Sequence, residues 1–190
     1  MTRTTAVGLA ALLAGLGALS QSPRAAEQVP FDPHASHEDL KRPPPSAELV
    51  QRVRKATEQY RDIEKAKLAG YGQFLGCVAG STGGAMGVHF VKGDLVDGTL
   101  NADEPEALIY EFRDGRARLV GVEFITPAAM WNAEHPAEAP VLDGQLLQFN
   151  GAPNRYRLDA FYELHVWAWR DNPTGSFADW NPQVSCDDAP

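Results

Sequence analysis

"EALIYEFRDGRARLVGVEF", residues 106–124, decides the fold. Asp114-Gly115 stands between two runs rich in alternating apolar and polar residues. That dipeptide is the strongest short-range signal for a two-residue hairpin turn, because both central positions need φ > 0. The register it predicts sets Arg113 against Arg116, Glu111 against Arg118, Tyr110 against Leu119, Leu108 against Gly121 and Glu106 against Glu123. Glu111 and Arg118 then form a favourable cross-strand pair on a wet face.

Outward from this hairpin the same patterning repeats. Candidate strands span 73–78, 85–91, 106–112, 117–125, 141–149 and 161–169, separated by turn residues. Upstream, Leu49, Val53, Ala56, Tyr60 and Ile63 recur at steps of four and three. Ser46 is a fitting N-cap and Gly70 a fitting stop, which predicts one amphipathic helix over 46–69. The expected fold class is α+β: one long N-terminal helix packed on a mainly antiparallel, curled five- to six-stranded sheet.

The N-terminus reads differently. Arg3 precedes an uncharged apolar run from Ala6 to Leu19, the pattern of a signal peptide, and the run is too short to span a bilayer comfortably. Cleavage after Ser20 leaves small residues at the recognition positions, and cleavage after Ala26 is the alternative. Residues 1–26 are therefore assigned to the signal peptide. Residues 27–45, with His34 and His37, form a proline-rich arm or linker, and 46–190 a single α+β domain. The chain is expected in the periplasm or the medium, with no stable membrane insertion after processing.

Of 190 residues 44% are hydrophobic and 22% charged, which suits a globular domain with a sizeable core. The formal net charge is −8, with no basic run. Such a surface gains nothing from counterion release, so nucleic acid is not an expected partner. The cysteines are Cys77 and Cys186, without a CxxC neighbour. In an exported chain an even pair reads as a disulfide, and the rival reading is two thiol ligands on a metal.

Chemistry is to be sought on one face of three strands. In "FYELHVWAWRDNP", 161–173, alternation puts Glu163, His165, Trp167 and Trp169 on one side and Tyr162, Leu164, Val166 and Ala168 on the other. In "GAMGVHFV" it groups Gly87, His89 and Val91, and in "RLVGVEFI" it groups Leu119, Gly121, Glu123 and Ile125. Each of His89 and Glu123 follows a glycine two positions back, which leaves room for a ligand, a metal or a bulky neighbour. His89, Glu123 and His165 together are two imidazoles and a carboxylate, a ligand set for zinc or iron. Glu106, set against Glu123 by the hairpin register, and Glu163 add carboxylates, and Trp167 a dry wall.

Plainer readings compete. Glu106 lies in water at a strand end, Glu123 pairs with Arg157 or Arg170, and His165 is a core histidine satisfied by a carbonyl. The Gly-rich "AGSTGGAMG" lacks the phosphate-loop lysine and a following helix, and Ser81 and Thr82 sit in no nucleophile elbow. "DGTLNADEP" fails the spacing of a calcium loop. The tail "NPTGSFADWNPQVSC", 172–186, carries two Asn-Pro turns and should wrap as ordered loop, with Phe177 and Trp180 as anchors and Cys186 fastened. The functional expectation is an exported binding protein whose polar pocket takes a divalent metal or a small ligand. The alternatives are a metal-dependent hydrolase or oxygenase on the same residues, and a structural or interaction protein with no site.

The segments "AGYGQF", "MGVHF", "PEALIYE" and "ELHVWAWRDNP…FADWNPQVSC" also resemble a group of uncharacterised exported bacterial proteins. The likeness covers most of residues 55–186. It implies export and a shared fold, carries no activity and transfers no catalytic residue.

Overall fold

The computed structural model describes residues 45–80 and 83–190. The signal peptide, the arm with His34 and His37 (apart from Pro45), and Ser81 and Thr82 lie outside the described residues.

The long helix expected over 46–69 does not form, and the protein is not one helix packed on a sheet. It is mainly sheet with short helices. α1 runs Pro45–Thr57, a 3-10 turn covers Glu58–Arg61, and α2 runs Ile63–Leu68. Two local interactions explain the break. The buried Thr57 hydroxyl donates to Val53 O at 2.7 Å within the last turn of α1. Asp62 is extended (φ −92°, ψ 108°) and its carboxylate accepts from Glu64 N, so it caps a new helix rather than continuing the old one. Ser46 falls inside α1, which begins one residue earlier at Pro45, where the missing N–H costs nothing. Gly70, at φ 96°, follows the end of α2.

The sheet is six-stranded, antiparallel throughout and curled into a half-barrel. Its strands are β1 (Gly72–Ala79), β2 (Ala85–Val91), β3 (Ala107–Arg113), β4 (Arg116–Pro127), β7 (Gln148–Asn150) and β8 (Phe161–Val166), in the order β1-β2-β3-β4-β8-β7. α3 (Ala128–Glu134) follows β4. The single strand read over 141–149 is three pieces: β5 (Val141–Leu142), β6 (Gln145–Leu146) and β7. The cause is a second Asp-Gly turn. Asp143 and Gly144 have φ of 44° and 80° and fold β5 back on β6.

The β3–β4 hairpin turns at Asp114-Gly115, with φ of 52° and 67°. Its register holds from Arg113↔Arg116 to Tyr110↔Leu119 and then shifts by one residue, giving Ile109↔Gly121, Leu108↔Val122 and Ala107↔Glu123. This β-bulge overturns two expected pairs, Leu108 against Gly121 and Glu106 against Glu123. It also separates Leu119 from Glu123. Leu119 joins the main core with Val122 and Phe124, whereas Val120 packs with Ile109 and Trp167 on the opposite side. The freed carbonyl of Val120 accepts from both Trp169 N and Arg170 N.

The main core is built from one face of the sheet (Val88, Phe90, Leu108, Tyr110, Val122, Phe124, Leu164 and Val166) with Leu49, Val53 and Ala66 from the short helices. Glu111 is not on a wet face. It is buried, pairs with Arg170 at 2.5 Å and accepts from Ser185 N, so the Glu111–Arg118 ion pair is replaced by an anchor for the tail. Cys77 and Cys186 form a disulfide with Cα atoms 5.6 Å apart. Among the described residues no helix is long and apolar enough to cross a membrane.

Candidate functional site

The opposite face of the same strands is where the ionisable residues gather. Glu123 on β4 and His165 on β8 are direct cross-strand partners. His89 comes from β2, with β3 between. On β3, His89 stands opposite Ile109 and Glu123 opposite Ala107, so the two site residues meet on a diagonal across that strand. His89 Nε2 lies 3.3 Å from Glu123 Oε2, and the His89 and His165 rings meet edge to face with centroids 5.7 Å apart. All three are buried, at 6%, 5% and 1% exposure. One ligand-type atom from each lies within 4.8 Å of the others.

A second group overlaps the first. Glu163, His165 and Asp179 also bring ligand atoms within 4.8 Å of one another. Glu163 is two residues before His165 on the same face, and Asn150 of the adjacent β7 donates to it at 2.5 Å. Gln148 donates to Asp179 at 2.7 Å and holds it over the sheet. Asp179 went unread in the sequence, because it arrives from the tail loop and shares no strand period with the rest. The anchors Phe177 and Trp180 flank it in the sequence, but nothing local marks the aspartate.

His165 is common to both groups, and among the described residues neither of its ring nitrogens has a hydrogen-bond partner. Asp179 Oδ1 is 3.8 Å from Nδ1, beyond hydrogen-bond reach. The reading of His165 as a core histidine satisfied by a carbonyl therefore fails. An unpaired buried polar group costs about 1–3 kcal/mol, so such a histidine is an expensive way to fill a core.

Burial dominates the protonation of the site. It pushes His89 down to about 4 and His165 to about 3, with His89 adding to the latter. It pushes Glu123 well above the usual carboxyl range, reinforced by a hydrogen bond shared with Glu163, and burial raises Glu163 and Asp179 as well. Burial thus disfavours the charged form of both His89 and Glu123, and the site as a whole favours protonated carboxyls and neutral imidazoles.

The remaining expected site residues are placed elsewhere. Glu106 is buried, not frayed into water. Its carboxyl accepts from Ile125 N at 3.0 Å and burial raises it to about 8, but it belongs to neither group of ligand atoms. Trp167 stacks beside His165 with centroids 6.3 Å apart, and its indole N–H is taken by Ala178 O, so it is a wall. Trp169 leaves this face. β8 ends at Val166, Ala168 N turns back to Val166 O, and Trp169 packs on the main core with its indole donating to Thr57. Arg170, offered as a partner for Glu123, is bound to Glu111 instead. The two glycines do not open the site either. A Cβ at Gly121 would sit 2.9 Å from Val166 O and 3.4 Å from the Trp167 ring. At Gly87, where φ is 98°, it would sit 2.9 Å from Tyr110 O. Their missing side chains let neighbouring strands and Trp167 close in.

The chain matches no family model, no curated protein and no solved structure. The disulfide suits an oxidising compartment.

Proposed function

We propose that this is an exported binding protein that holds a divalent transition-metal ion, zinc or iron, on His89, Glu123 and His165. The observation that carries the reading is His165, fully buried with both nitrogens unpartnered at the meeting point of two groups of ligand atoms. Two neutral imidazoles and a carboxylate are the donors such an ion prefers. A cation held there would favour the ionised form of Glu123, which burial disfavours, converting a desolvation cost into coordination. Export is supported by the basic and apolar N-terminal pattern and by the disulfide.

Calorimetry of chelator-stripped protein with Zn²⁺ and Fe²⁺ tests the metal reading. We expect stoichiometric binding in the parent protein, its loss in His89→Ala and His165→Ala, and its retention in Val88→Ala, which changes only the core face. Binding that is absent, or indifferent to both histidines, would leave a structural protein and end this reading. Export predicts a mature N-terminus between residues 21 and 27 in periplasm or medium, read by N-terminal sequencing. Cytoplasmic protein that keeps Met1 would overturn it.

A further inference from the structure

A second feature adjoins the polar site and is not explained by a metal. The pairing of β1 with β2 runs from Gly72 to Phe74 and resumes only at Val78. Inside that gap Leu75 is at φ 58°, a left-handed conformation that a branched aliphatic residue rarely adopts, and its side chain is 52% exposed. Leu158, which lines the same cavity, is 41% exposed, and Arg157 before it is also at φ 58°. Strained backbone persists where surrounding structure imposes it, and it gathers at binding sites. Here the two irregular segments hold apolar side chains at the rim of a cavity of about 180 Å³.

The cavity walls include Phe74, Val78, Ile125 and Phe161, and His89 and Glu123 reach into it. The other polar lining group, the Tyr156 hydroxyl, is directed to Met86 Sδ at 3.5 Å. His165 is not part of the lining. The space is therefore apolar on its sides and polar where the His89–Glu123 pair faces it. From this we infer that the cavity binds a small molecule with an apolar body of single-ring size and one hydroxyl group, of the phenol class, with the hydroxyl on His89 and Glu123.

Size and chemistry both select this class. A dry apolar cavity of about 150 Å³ accepts benzene, so the present one admits a ring with a small substituent. His89 and Glu123 set an imidazole nitrogen and a carboxyl oxygen side by side, 3.3 Å apart. A hydroxyl can both give and take a hydrogen bond, and so suits a nitrogen and an oxygen placed together in this way. A carboxylate end would bring a charge into an apolar enclosure against another carboxyl. The inference rests on the metal reading only in that both use His89 and Glu123, and a bound metal would accept the hydroxyl oxygen as a further ligand.

The test titrates phenol and benzene into full-length protein, with and without Zn²⁺, by calorimetry and by amide chemical shifts. We expect saturable phenol binding, about fivefold tighter than benzene, the value of one net hydrogen bond. Ile125→Trp, which fills the cavity, and Leu158→Trp, which blocks its mouth from an exposed position and spares the core, should each abolish phenol binding. Shifts should centre on Phe74, Val78 and Ile125. No saturable phenol binding, or binding unchanged in both variants, overturns the inference, and benzene binding as tightly as phenol overturns the polar contact. Zinc read in the same samples separates the failures. Zinc bound without phenol sinks the cavity inference alone, and phenol bound by protein that takes up neither zinc nor, in the calorimetry above, iron sinks the metal reading alone.

Discussion

Neighbouring residues on the same strands face two different worlds. Val88, Val122 and Leu164 point into the main core, while His89, Glu123 and His165, one position on, point to the other side of the sheet. All six are buried. On the first face every apolar side chain taken from water contributes about 1.5–3 kcal/mol. On the second, burial raises the carboxyls, lowers the imidazoles and leaves His165 without a hydrogen bond. The backbone treats the faces alike, so what separates them is side-chain chemistry. One face stabilises the protein, and the other consumes stability that a core of the same size would have supplied.

The disulfide offers the largest test, because it joins the two sides: Cys77 packs against the main core and Cys186 against the cluster of Ile109, Val120 and Trp167. It closes a separation of 109 residues, and opening it should cost about 4–5 kcal/mol by chain entropy. Denaturant unfolding of the Cys77→Ala/Cys186→Ala double variant measures this. No loss would mean that the two sides hold together without it.

Next come paired substitutions one on each face. Phe124→Ala removes a fully buried ring from the core and should cost about 3–5 kcal/mol. His165→Leu should do the reverse in metal-free protein, raising stability by about 1 kcal/mol, because it removes two unpaired nitrogens. Metal binding should vanish with it. If His165→Leu destabilises stripped protein as Phe124→Ala does, the contrast between the faces is lost.

A smaller effect is the pH dependence of stability. Buried His89 and His165 take up protons only near 4 and near 3, whereas in the unfolded chain they do so near 6.5. Between these values the unfolded state binds more protons, so the histidines make metal-free protein less stable as pH falls from 6.5 toward 4. Glu106 acts in the opposite direction. It holds its proton up to about 8 when folded and releases it near 4.5 when unfolded, so it makes the protein less stable as pH rises through that window. Unfolding midpoints between pH 4 and 9 should show both slopes. His165→Leu should lessen the acid slope, which His89 still feeds, and Glu106→Gln the alkaline one, which Glu123 still feeds; slopes untouched by these changes would reassign them to other groups.

The smallest expected effect lies far from both faces. Gly115→Val should destabilise by about 1 kcal/mol, because the turn needs φ of 67° there. Among the described residues nothing lies within 4 Å of the added Cβ, so the cost is one of backbone conformation. A neutral result in thermal unfolding would show that the turn does not set the hairpin register.

Where a property depends on a few adjacent residues, it could be read directly. Asp114-Gly115 announced its turn, and strict alternation put Glu163 and His165 on one face of β8. The pairing of Cys77 with Cys186 needed only their number and the export pattern. Asp143-Gly144 carries the same turn signal and was overlooked within a longer run read as a single strand. Asp62 falls within the run whose apolar period predicts one helix, although its short carboxylate is equally suited to capping a new helix.

What tertiary structure alone decided is of another kind. The bulge on β4 moved Glu106 away from Glu123 and Leu119 to the core face, and no residue between Leu119 and Gly121 advertises it. Trp169 left the site because β8 ends at Val166 and the chain turns back to bond Val120 O. Asp179 entered because Gln148, far away in sequence, holds it. Periodicity and turn chemistry are local, fixed by sterics within a few residues, so they are written in the order of amino acids. Register shifts, strand ends and the arrival of a loop are settled by what the whole sheet can pack against, and only the folded chain contains that information.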